Sequence, residues 1–89
     1  MQIAIAQDGY AFFGVGPNLN AAIQDAREWV DRDTELDADT LPRDSSGRVN
    51  HGDFCWTTVS DELAKEIKTD GRAAYHNCIE TNYGWTVTP

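Results

Sequence analysis

Near its start the chain alternates Ile3 and Ile5 with smaller or polar residues, and an apolar run from Tyr10 to Val15 follows Asp8-Gly9. Alternation of this kind predicts a strand, and Asp-Gly is among the strongest two-residue hairpin signals, so the opening is expected to be a β-hairpin. Pairing Gln7 with Tyr10 would set Ile5 opposite Phe12 on one face and Ala4 opposite Phe13 on the other. Both faces of the ribbon are then expected to be at least partly covered, one of them by a helix. Gly16-Pro17 ends the strand and Asn18 is a candidate N-cap. Leu19, Ala22, Ile23, Ala26 and Val30 then recur at helical spacing, with Trp29 flanking the stripe, which predicts a helix from about Leu19 to Asp31.

Between Arg32 and Gly52 the only sizeable apolar residues are Leu36, Leu41 and Val49, set among Asp, Pro, Ser and Gly. This composition predicts a long acidic surface loop over about residues 32–52. Phe54 to Val59 reads as a strand, and Ser60 can cap a short helix bearing Leu63, Ala64 and Ile67 that ends at Asp70-Gly71. The stretch from Ala73 to Glu80 reads as strand or as a further helix. Asn82-Tyr83-Gly84 is a turn before the strand-forming Trp85-Thr86-Val87-Thr88, and a C-terminal hairpin with Ala74 to Glu80 is the simplest arrangement. The expected order is β-β-α-loop-β-α-β-β. It describes one α+β domain over residues 1–89, a small antiparallel sheet with two helices on one face.

Composition narrows the partners. The chain has 89 residues, 40% of them hydrophobic, enough for one core and too few for two. Fifteen Asp and Glu against seven Lys and Arg give a formal charge of −8. Direct nucleic-acid binding draws its affinity from cationic side chains, so it is not expected; a basic protein that itself handles nucleic acid is the complementary partner. No apolar run approaches a membrane span, and the N-terminus lacks the features of a secretory signal, so the expected location is the cytoplasm of a host cell. There Cys55 and Cys78 would be free thiols. Either a monomer or a homodimer through the second face of the hairpin fits the pattern.

His51, Cys55, His76 and Cys78 are of the right types for tetrahedral zinc, but they form no CxxC or HxxxH pair, and packing explains them more simply; no metal and no cofactor are expected. Neither cysteine sits in a catalytic signature or obviously at a helix N-terminus, and so short a chain leaves little room for a substrate pocket. An enzyme is not expected. Gly14-Val15-Gly16 matches no phosphate-loop pattern and serves the turn from strand to helix. From Asp25 to Asp44, eight acidic residues (Asp25, Glu28, Asp31, Asp33, Glu35, Asp37, Asp39 and Asp44) stand against Arg27, Arg32 and Arg43. Carboxylates displayed in series can occupy a groove evolved for phosphates, which makes these eight the candidate partner-binding residues. Their spacing does not match an Asp-rich calcium loop. Tyr10 and Trp85, near turns, complete the candidate interface as amphipathic anchors, in a setting shared with Phe13 and Tyr83.

In size, acidity and its hairpin-helix opening, MQIAIAQDGYAFFGVGPNLNAAIQDAREWVD, the chain resembles the small anti-CRISPR inhibitors of phages and mobile elements. The resemblance implies inhibition by tight binding to a Cas protein or surveillance complex, over a surface that normally receives guide or target nucleic acid. The opening is also similar to HicB-type antitoxins, with GYAFFGVGPNL corresponding to the hairpin and NAAIQDAREWV to the helix that follows. That likeness covers the first third, and no C-terminal DNA-binding element follows. It implies an acidic protein that covers a basic, RNA-binding toxin. A small zinc- or thiol-dependent protein is the alternative of a different class.

Overall fold

Strand β1 (Gln2–Gln7) lies between β2 (Ala11–Gly16) and β3 (Phe54–Val59), antiparallel to both, in a computed structural model that describes residues 1–44 and 49–88. Residues 45–48 of the expected loop lie outside the described residues. Ala4, Ile5 and Ala6 at the middle of β1 are fully buried, so its two sides feed two separate cores. The remaining elements are α1 (Leu19–Ala26), α2 (Asp61–Asp70), the two-residue β4 (Ala73–Ala74), a 3₁₀ turn (Tyr75–Asn77), β5 (Cys78–Thr81) and β6 (Gly84–Val87). They complete a six-stranded sheet in the order β4-β2-β1-β3-β6-β5.

The α+β class holds, with corrections to its detail. The sheet is mixed, because β6 returns parallel to β3 at Val59 and Trp85; β5 and β6 form the expected C-terminal hairpin, but its first arm begins at Cys78 and not at Ala74, which pairs with β2 ahead of the 3₁₀ turn. The helices lie on opposite faces, where one face was expected. Ala4, Ala6, Phe12, Val15, Cys55 and Val59 pack against Leu63, Ala64 and Ile67 of α2. Ile5 and Phe13, flanked by Ile3, Phe54 and Trp56, pack against Ala22, Ile23 and Ala26 of α1 and against Leu36. Each face of the first hairpin carries aromatic and aliphatic groups, and leaving either in water would forfeit about 1.5–3 kcal/mol per large side chain.

The hairpin register differs from the expected one. Tyr10 N–H donates to Gln7 O at 3.0 Å, and Gly9 alone in the turn has positive φ (81°), the pattern of a type II turn. Gln7 therefore pairs with Ala11, Ala6 with Phe12 and Ile5 with Phe13. A bulge then intervenes, after which Ala4 faces Val15. The extra residue is Gly14, at φ 71°, and it restores Val15 to the Phe12 side.

Helix α1 begins where expected, with Asn18 Oδ1 accepting from Ala21 N at 2.9 Å. It ends at Ala26, short of Asp31, because the chain tightens through Glu28 N to Asp25 O (3.3 Å) and Trp29 N to Ala26 O (2.9 Å). This turns Trp29 toward Gly71, the residue that closes α2. Helix α2 follows its sequence signals throughout. Ser60 Oγ accepts from Leu63 N at 3.1 Å, Asp61 and Glu62 occupy the first turn, and Lys68 the last.

A Cβ on Gly14 would stand 2.5 Å from Ala26 Cβ, in a backbone conformation that L-residues rarely adopt. Gly14→Ala is expected to cost about 2–4 kcal/mol in urea unfolding, combining strain with overpacking. A loss below about 1 kcal/mol would show that the bulge relaxes freely.

Candidate functional site

The acidic tract splits into a structural carboxylate and a displayed set. Asp25 Oδ2 accepts the Val15 backbone N–H at 2.9 Å, beside the bulge. It is half-buried and committed to the fold, which removes it from the displayed carboxylates among which it was expected. Glu28, Asp31, Asp33, Glu35, Asp37 and Asp39 are exposed. Their loop is tied down at several points. Leu36 is 2% exposed in the α1-side core, and its carbonyl accepts from Arg27 Nη2 at 2.8 Å. Thr34 N reaches Asp31 O, Leu41 N reaches Asp37 O, and Asp37 Oδ1 accepts from Asp39 N at 2.9 Å in an Asx turn. Among the described residues the one ion pair joins the N-terminal ammonium to Asp61, so none of these carboxylates closes an ion pair there, although Arg27 and Arg32 border the same depression as Asp33, Glu35, Asp37 and Asp39.

Tyr10 stands at a rim of the molecule, 55% exposed, its ring 4.9 Å from that of His51. Trp85 lies elsewhere: the structure places it against the α2-side core, not on an outer face. Phe12 and Tyr75 stack with centroids 4.4 Å apart, and Trp85 lies 5.2 Å from Phe12 and 5.1 Å from Tyr75. Phe13 is buried on the opposite side, against Phe54, and Tyr83 is exposed at the β5–β6 turn.

Two of the aromatic trio, Tyr75 and Trp85, line a cavity of about 290 Å³ together with Asp8, Asp44 and Glu80. Asp44 is brought there by a short parallel bridge between Arg43 and Trp56, with Asp44 N donating to Trp56 O at 2.8 Å. Asp8 comes from the first turn and Glu80 from β5. Arg43 turns to the other side of the sheet, its guanidinium 5.5 Å over the Trp56 ring. Partial burial pushes the Asp44 carboxyl above its ordinary range; the nearby charges of Asp8 and Glu80 push it further, and the Trp85 indole N–H opposes them. That N–H and the Tyr75 hydroxyl are both buried and close no hydrogen bond of normal geometry among the described residues. Asp8, Tyr75 and Glu80 had drawn no functional reading from the sequence, since nothing local ties positions 8, 44, 75 and 80 together.

Both cysteines are free. Burial, then the charge of Asp44, pushes the Cys55 thiol up to about 12, and burial likewise raises the Tyr75 hydroxyl above its ordinary value. At neutral pH Cys55 is thus a thiol and a poor nucleophile. Cys78 Sγ lies 3.4 Å from Ala74 O and is also raised, by burial and then Glu66. His51 packs on Tyr10 and His76 is exposed on the 3₁₀ turn. Among the described residues no three His, Cys, Asp or Glu side chains are placed to hold a metal ion, and no helix is long and apolar enough to cross a membrane. No protein-family model, curated protein or solved structure matches the chain.

Raised folded-state values for Cys55 and Tyr75 mean that above about pH 8.5, the ordinary thiol value, the unfolded chain releases protons that the folded chain retains. Stability is therefore full below that pH and falls as pH rises toward about 12. The urea midpoint is expected to drop between pH 7.5 and 10.5, and to drop less in Cys55→Ala; equal drops would remove the thiol from the account. At Asp44 the sign gives a second expectation. A raised carboxyl penalises the folded state once ionised, so Asp44→Asn should raise the melting temperature at pH 7, by an amount held to about 1 kcal/mol or less by the carboxylate's remaining solvent access. A lowered melting temperature would contradict it.

Proposed function

We propose that this chain acts by binding a basic protein or complex that handles nucleic acid, and that a CRISPR–Cas complex is the first partner to test. What carries the reading is the displayed set of carboxylates at Asp31, Asp33, Glu35, Asp37 and Asp39, exposed on a loop anchored through Leu36. A tied loop presents its charges at little further entropic cost on binding, and a surface on which carboxylates outnumber arginines is drawn to a groove lined with Lys and Arg. The chain's −8 charge supports the same sign of partner. The mechanism is occlusion: carboxylates take the positions of phosphates and the rest of the domain blocks access. A basic RNA-binding toxin would be met by the same physics and is an outcome of the same experiment.

Asp37 holds its own turn, so the test reverses Asp31, Asp33, Glu35 and Asp39 to Lys and leaves Asp37 in place. Tagged wild-type chain is expected to retain a Cas subunit from a lysate expressing such complexes, with retention falling as salt rises. The reversed chain should associate about 10²-fold more slowly and lose retention. Salt-independent retention, or full retention by the reversed chain, would sink the acidic contact; recovery of a small basic toxin alone would replace the Cas partner.

A further inference from the structure

The cavity between the first turn and β5 lies on the α2 side of the sheet, apart from the loop packed on the α1 side. Its lining combines two chemistries. Tyr75 and Trp85, packed on the buried Phe12, offer aromatic ring surface, and Asp8, Asp44 and Glu80 bring three carboxylates. None of the three has an ion-pair partner among the described residues. Like charges held together are unfavourable until a cation enters; at Asp44 burial is the larger penalty on the ionised form, and the charges of Asp8 and Glu80 add to it. The buried Tyr75 oxygen closes no hydrogen bond of normal geometry, and with the Cys55 thiol beside it at most one lone pair is engaged, which leaves an acceptor over for a donor-rich ligand.

We propose that this cavity receives the guanidinium group of an arginine presented by the basic partner. Guanidinium fits the rings and the carboxylates of the lining. It is planar and weakly hydrated, so it stacks on ring faces, and its N–H fork spans carboxylate pairs; the Trp85 indole N–H, a donor that guanidinium cannot meet, is left to the Asp44 carboxylate. A lysine ammonium, strongly hydrated and without a flat face, meets fewer of these groups. About 290 Å³ accommodates the end of one side chain and is smaller than a typical pocket for a drug-sized ligand. The identity of the occupant's carrier rests on the function proposed above, whereas the recognition of guanidinium is separable from it.

The probe is N-acetyl-arginine-N-methylamide, titrated into ¹⁵N-labelled chain while the indole N–H resonance of Trp85, assigned with Trp85→Phe, is followed. A saturable shift with Kd in the low millimolar range is expected for so small a ligand. The citrulline analogue, equal in shape and uncharged, should give no saturable shift. Asp44→Asn and Glu80→Gln should each weaken the arginine probe about tenfold or more, while a melting curve shows both variants folded. No saturable shift, an equal response to citrulline, or undiminished binding in both variants would overturn the proposal. Because the probe needs no partner, a positive titration beside a failed pull-down would retain the cavity and discard the partner, and the reverse result would do the opposite.

Discussion

Bulging β2 at Gly14 leaves the Val15 N–H without a ladder partner, and Asp25, reaching back from α1, accepts it at 2.9 Å. Without a side chain at position 14, α1 approaches β2 until Ala26 sits where a Cβ would be. The same bulge changes the phase of the strand, so Phe12 and Val15 serve one core and Phe13 the other. One extra residue thus seats a helix, frees a donor that the helix's own Asp25 satisfies, and divides the apolar side chains of β2 between two faces.

Once both faces are committed, the two helices cannot share one. Small residues at Ala4 and Ala6 leave room for Phe12, Leu63 and Ile67 above them, while Ile5 meets Phe13 and Ile23 below. Helix α1 has only eight residues and is too short to cover its face alone. Leu36 from the acidic loop completes that cover, with Leu41 packed at its edge. The tract expected to be loop is therefore loop in backbone form and core in its anchor residues. This dual role fixes where the charges stand: the apolar residues point in, and Asp31, Asp33, Glu35 and Asp39 point out.

Much of this was legible where the signal is local. Asn18 and Ser60 announced their caps, Phe54–Val59 and the C-terminal hairpin lay where β propensity put them, and the buried faces of both helices followed their apolar spacing. What escaped depends on competition between local rules. Asp8-Gly9 suits more than one turn, and the type II form was selected here, with Tyr10 left over and the register moved by one. Helix α1 ended early, its last turn tightening at Glu28 and Trp29, and the Trp29 ring came to rest beside Gly71 while staying 60% exposed. The placement of both helices followed from a one-residue bulge whose only trace in the sequence was a glycine already accounted for as a turn.

The cavity was the least legible feature, and the reason is topological. Its carboxylates come from a β-turn, a bridge beside β3 and an edge strand, so their sequence separations of 36 residues each carry no pattern; Asp8, Asp44 and Glu80 meet only because the sheet order places β6 and β5 beyond β3. Grouping three acids over buried aromatic rings costs stability, and the fold has no internal need of it: Phe12, Tyr75 and Trp85 would pack as well under neutral rim residues. The contrast with Asp25 separates the two uses of acidity in this chain. Asp25 has a backbone donor that explains its place, whereas Asp44, half-buried among like charges, has none for its carboxylate beyond the unclosed approach of an indole N–H. A carboxylate whose position the fold does not reward is the place to look for a ligand that does.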